Sequence, residues 1–114
     1  MTPLGSVVAS DIAGARLVRL SGEIDLSNAS EVLELIGAQV PHDADLVVLD
    51  LSRTSYLDST GVAMVFHLAH RLRTRRQELH LVVPLESPIR AVLELTNVHR
   101  VVAVRETVEA AIRS

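Results

Sequence analysis

Residues 46–51 read Leu-Val-Val-Leu-Asp-Leu, an apolar run interrupted only by Asp50. The run lacks the in–out alternation of a strand with one wet face. It also falls far short of the ~20 apolar residues that a membrane-crossing helix needs. It predicts a strand covered on both faces, the habit of parallel strands flanked by helices. The chain that follows agrees. A helix is expected from about Ser59 to Arg75, then a strand from Leu79 to Val83. Ser87-Pro88 opens a third helix, with Ser as cap and Pro where its missing N–H costs nothing. Ile89, Val92 and Leu93 give that helix its inward face. A last strand at Val101–Val104 and a short helix at Thr107–Ile112 complete an alternation typical of α/β folds.

The first half reads differently. Ser6–Ala9 and Ala15–Ser21 are expected as two short strands, joined by a turn containing Asp11 and Gly14. Ser21-Gly22-Glu23 should break the second strand. A helix is expected from about Ser27 to Val40, with Ser27 as N-cap and Pro41 ending it. Ala29, Val32, Leu33 and Ile36 fall on one face of it. No linker, repeat or low-complexity segment divides the chain, so residues 1–114 are expected to form one domain.

Composition narrows the chemistry. Hydrophobic residues make up 48% of the chain, enough for one packed core. There is no Trp, and only one Tyr and one Phe, so Val, Leu, Ile and Ala must build that core. The absence of Cys excludes disulfides, thiolate catalysis and cysteine-based zinc sites. A formal charge of −3 argues against nucleic acid as the main partner. Met1–Ser10 lacks the basic start and long apolar run of a secretion signal. A cytoplasmic location without membrane insertion is the expectation.

The informative stretch is Leu46–Arg76. After the buried strand comes Ser52-Arg53-Thr54-Ser55-Tyr56-Leu57, then Asp58-Ser59-Thr60-Gly61 at a helix start. The first backbone N–H groups of a helix lack intrahelical partners, and the helix dipole adds partial positive charge. Such a place tolerates an anion, including a phosphate on serine. Asp58 and Ser59 also read simply as helix caps. Along the helix, Val62, Val65, Ala69 and Leu72 line one face, with Met64 and Leu68 flanking it on one side and Phe66 on the other. That arc is wider than one side of a sheet requires. Met64 and Leu68 are therefore expected either to lie under a neighbouring helix or to reach solvent as a docking surface.

Leu49-Asp50-Leu51-Ser52 leading to Tyr56-Leu57-Asp58-Ser59-Thr60-Gly61 resembles the signature of the STAS domain, and among its members the bacterial anti-sigma factor antagonists. Leu20-Ser21-Gly22-Glu23-Ile24-Asp25 is similar to the family's Leu-x-Gly-Glu-Leu-Asp turn. The order of elements fits from about Ser6 to Ile112. The resemblance implies an α/β STAS fold, a mixed sheet of four to five strands with about four helices packed mainly on one side. It implies that Ser59 is phosphorylated by an anti-sigma factor that is itself a serine kinase. Asp58 would position the serine, and Thr60 and Gly61 would shape the helix start. The unphosphorylated form would bind the anti-sigma factor and free a sigma factor, and a serine phosphatase would restore it. The implied contact surface comprises Asp25, Thr54, Ser55, Tyr56, Asp58, Ser59, Thr60, Gly61, Met64 and Leu68. The chain itself would supply no catalysis and hold no cofactor or metal. The alternative is a STAS scaffold or subunit in a stress-sensing or lipid-transport assembly, without a phospho-switch. Two departures stand out: Val62-Ala63 replaces the family's frequent Leu-Gly, and Arg75-Arg76-Gln77-Glu78 replaces a Gly-rich link.

Other constellations are weaker. Arg71, Arg73, Arg75 and Arg76, with His67 and His70, make one helix end basic. They suit a solvated helix terminus or a contact for an acidic surface. His67 and His70 lie one turn apart, but no third metal ligand is evident; His42, His80 and His99 have no ligand-like spacing. No Gly-x-Ser-x-Gly elbow surrounds Ser59, and no P-loop or dinucleotide fingerprint is present.

Overall fold

The computed structural model describes residues 6–113; Met1–Gly5 and Ser114, the ends of the expected domain, lie outside the described residues. Five strands form one sheet in the order β1-β2-β3-β4-β5: Ser6–Ile12, Ala15–Ile24, Leu46–Leu57, Glu78–Val82 and Ala103–Arg105. Only β1 and β2 are antiparallel; the remaining pairings are parallel. The helices are α1 (Ala29–Ala38), α2 (Ser59–Thr74), α3 (Arg90–Leu95) and α4 (Val108–Arg113), with a 3₁₀ turn at Val98–Arg100.

This order dictates the layers. Parallel strands added in one direction by right-handed crossovers place every crossover helix on the same face. Accordingly α1, α2 and α3 share the main core. Val18, Leu20, Ile24, Val47, Leu49, Leu51, Leu79 and Leu81 meet Val32, Ile36, Val62, Val65, Ala69, Leu72 and Leu93 there. The opposite face carries a smaller core, where Leu17, Val48 and Val82 pack under α4 through Ala111. Leu46–Leu51 is thus covered on both faces, as its unbroken apolar run requires. Asp50, the exception, points to the second face and is 2% exposed. It survives burial because Arg19 Nε lies 2.9 Å from its Oδ2 and the Ser52 N–H donates to its Oδ1.

Several expected boundaries move. The β1–β2 strands run to a tight turn, Ala13-Gly14, both at positive φ (49° and 83°). That is the two-residue geometry that matches strand twist. Asp11 therefore lies within β1 and pairs with Arg16 at 3.1 Å. Ser21-Gly22-Glu23 bends β2 without breaking it: the register slips twice there, and Gly22 adopts φ 99°. Ser27 does not cap α1. Its N–H and hydroxyl donate to Asp25 Oδ1, and the helix starts at Ala29. β3 continues to Leu57, beyond its last pairing with β4 at Asp50–Val82.

Candidate functional site

The overhang of β3 builds the site. Past Leu51, β3 pairs with β2 alone, out to Ile24–Leu57. This two-stranded projection delivers Asp58 to the start of α2, where its N–H donates to Ile24 O at 3.3 Å. Asp58 adopts an extended backbone (φ −94°, ψ −173°), as an N-cap must. Its Oδ1 accepts from Gly61 N–H at 2.9 Å, and its Oδ2 accepts from Leu26 N–H at 3.1 Å. One carboxylate therefore caps α2 and ties it to the turn that follows β2.

That turn is held by its own short side chains. Asn28 Oδ1 accepts from Asp25 N–H at 3.0 Å, and Asn28 Nδ2 donates to Glu23 O at 2.9 Å. Asp25 Oδ1 accepts from both the hydroxyl and the amide of Ser27. The Ser27 hydroxyl, then its amide, hold the Asp25 carboxyl below its ordinary value, against a small opposing effect of burial. Asp25, Leu26, Ser27, Tyr56 and Asp58 together line a shallow groove of about 340 Å³.

Ser59 occupies the first helical position, and its side chain is exposed. Asp58 takes the Gly61 N–H, so the N–H groups of Ser59 and Thr60 remain without an intrahelical acceptor. Gly61 is required for space. A Cβ there would lie 2.5 Å from Leu57 Cδ1 and 3.0 Å from Ile24 O. No other side chain lets the first turn of α2 sit this close to the β2–β3 end.

The sequence-derived contact residues divide. Asp25, Ser55, Tyr56, Asp58, Ser59 and Thr60 are at least partly accessible around the helix start. Gly61 is buried at the helix–strand contact. Thr54 is 1% exposed, with its hydroxyl donating to Leu20 O at 3.2 Å; it secures the overhang and faces no partner. Met64 and Leu68 are 3% and 0% exposed, members of the main core. The expectation that they reach solvent is corrected: α2 packs against α1 and the sheet, and the flank of its apolar arc that carries Met64 and Leu68 is buried, whereas Phe66 on the other flank is half-buried. Leu26 was missed by sequence reading. It is 79% exposed beside Tyr56, which is 50% exposed. An apolar residue inside the polar run Asp25-Leu26-Ser27-Asn28 was the available signal. Leu26 and Tyr56 supply the apolar surface that Met64 and Leu68 do not.

The basic end of α2 lies away from this site. Arg71 Nη1 approaches Glu34 Oε1 of α1 at 3.6 Å, while His67 and His70 are exposed.

Comparison with known proteins places this geometry. The STAS domain family model matches residues 6–111. The chain is 33% identical over 100 residues to a protein named as an anti-sigma factor antagonist, BtrV of Bordetella bronchiseptica, covering 88% of this chain and 85% of that one. It is 33% identical over 60 residues to the anti-sigma-F factor antagonist RsfB of Mycobacterium tuberculosis, covering 53% of this chain and 49% of that one. A crystal structure of an anti-sigma factor antagonist from Mycobacterium paratuberculosis superposes with a TM-score of 0.78 at 25% identity, covering 95% of this chain and 91% of that one.

Proposed function

The chain belongs to the STAS domain family, and we propose that it is an anti-sigma factor antagonist switched by phosphorylation of Ser59. The unphosphorylated chain binds an anti-sigma factor of the serine-kinase type and so releases a sigma factor. Phosphorylation by that kinase ends the binding, and a serine phosphatase restores it. The contact surface is the helix start and adjoining turn: Asp25, Leu26, Ser55, Tyr56, Asp58, Ser59 and Thr60.

The observation that carries this reading is the exposed Ser59 at the first position of α2, beside exposed Leu26 and Tyr56. Asp58, Gly61 and Thr54 are consumed in holding that arrangement, and Ser59 is left for a partner. A phosphate on Ser59 adds roughly −1.5 to −2 charges at neutral pH. It would stand beside Asp58, with Asp25 in the same groove. The two free N–H groups of the helix start offset part of that charge within the protein. Across an interface the phosphate must still be desolvated, which costs several kcal/mol if unpaired. Each 1.4 kcal/mol is about tenfold in affinity, so binding can change by orders of magnitude while the fold stays as it is.

Binding of Ser59 variants to the anti-sigma factor tests the proposal. Ser59→Asp should lose binding, and Ser59→Ala should bind whether or not ATP is present. Unimpaired binding by Ser59→Asp would leave a scaffold role without a charge switch.

A further inference from the structure

A second concave site lies at the opposite end of α2 from Ser59. Here the C-terminus of the helix, the start of β4 and the segment before β5 border an open cleft of about 470 Å³. It exists because β5 is short. β5 begins pairing at Ala103 opposite His80, so Glu78 and Leu79 have no strand on that side. Ala69, Leu79, Val101 and Val102 supply its apolar lining, and Arg73 and Arg76 bring positive charge.

Arg76 is the unexpected residue. Gln77 N–H donates to Leu72 O and Arg76 N–H to Arg73 O, each at 2.9 Å, the paired closure of a helix end. That closure needs a left-handed residue, and Arg76 has φ 60°. Glycine fills this position without strain, whereas a residue with a Cβ is disfavoured there. The chain nevertheless carries Arg there. The Arg76 guanidinium has no partner among the described residues. Arg73 spends one donor on Val101 O at 3.2 Å and keeps the rest.

Behind the cleft, Gln77 ties the end of α2 to the loop before β3. Gln77 is 5% exposed, and its Nε2 donates to Pro41 O at 2.9 Å and Ala44 O at 2.7 Å. Its Oε1 is buried with no donor among the described residues. The carboxylate at the rim, Glu78, lies 3.1 Å from His80 Nε2. We infer that this cleft binds a small organic anion, its carboxylate or phosphate seated by Arg76 and Arg73 and its apolar body on Leu79, Val101 and Val102.

The test is an amide-resolved NMR titration of the full chain with inorganic phosphate and, separately, with benzoate, at constant ionic strength. Saturable shifts should concentrate at Arg76–Leu79 and 101–103. Saturation by phosphate alone assigns a phosphoryl ligand, and by benzoate alone a carboxylate with an apolar body. Arg76→Gly keeps the helix closure and removes the guanidinium; it should weaken binding at least tenfold, because charge-assisted hydrogen bonds are lost. Absence of saturation with both probes would overturn the inference. So would undiminished binding by Arg76→Gly, or equal shifts at Arg53 and Arg113, which lie outside the cleft.

Discussion

Replacing Gly61 by Ala sets two effects of opposite sign against each other. Alanine is the better helix former, by roughly 0.5–1 kcal/mol in a helix interior and less in the first turn, where Gly61 sits. Against that stands the space. The added Cβ would lie 2.5 Å from Leu57 Cδ1, a separation real Cβ atoms do not adopt, and 3.0 Å from the Ile24 carbonyl oxygen. Leu57 is 4% exposed, so its side chain has little room to swing away. Ile24 O is backbone and already accepts from Asp58 N–H, so moving it disturbs the cap. Forcing extra volume into such a contact costs typically about 1–3 kcal/mol. The steric term wins, and Gly61→Ala should be net destabilising by about 1–2 kcal/mol. For a chain of 114 residues that lowers Tm by roughly 4–8 °C. Thermal unfolding followed by circular dichroism measures it, with urea denaturation as a check that the slope is unchanged. A variant as stable as the parent, or more so, would show that the helix start is not packed against the β2–β3 end as described.

Three further outcomes follow from the same geometry. Asp58→Asn keeps an oxygen for Gly61 N–H but turns an amide toward Leu26 N–H. It should cost about 1–3 kcal/mol and speed hydrogen exchange at Leu26. Leu68→Ala should destabilise by about 2–5 kcal/mol because it empties a fully buried position, whereas Leu26→Ala should leave Tm unchanged and weaken anti-sigma factor binding about tenfold. Asp25 contributes stability with a definite sign. Its folded-state pKa lies below the ordinary 3.8, so the unfolded chain binds the proton more readily. The contribution is complete above the ordinary value and is lost as pH falls through the folded one. Asp25→Asn should therefore flatten the acid limb of a stability–pH profile and leave its neutral limb shape unaltered.

Much of the fold was legible because periodicity and turn chemistry are local. The apolar run at Leu46–Leu51 announced a doubly covered strand, and Ser59–Thr74 carried its helical stripe openly. The misses were long-range. β3 continues through Ser52–Tyr56 because β2 travels with it past β4, and no residue in that polar stretch advertises its partner. Ser27 resembles a helix cap in sequence, but the Asp25 carboxylate claims it first. Met64 and Leu68 looked like a docking stripe because a helix with one flank buried by its neighbours has the same sequence pattern as one with that edge exposed. The phospho-acceptor candidate was visible as Asp58-Ser59 at a helix start. The role of Asp58 in joining two loops was not, since its second oxygen reaches Leu26, 32 positions earlier in the chain.

The central claim is that Ser59 carries the phosphate. Mass spectrometry of the chain isolated from its native cells, with fragment spectra localising the modification, tests it most directly. The account predicts a fraction of molecules bearing one phosphate on Ser59. Phosphate confined to Thr60 or to another residue, or none under growth conditions that change sigma-factor activity, would contradict it.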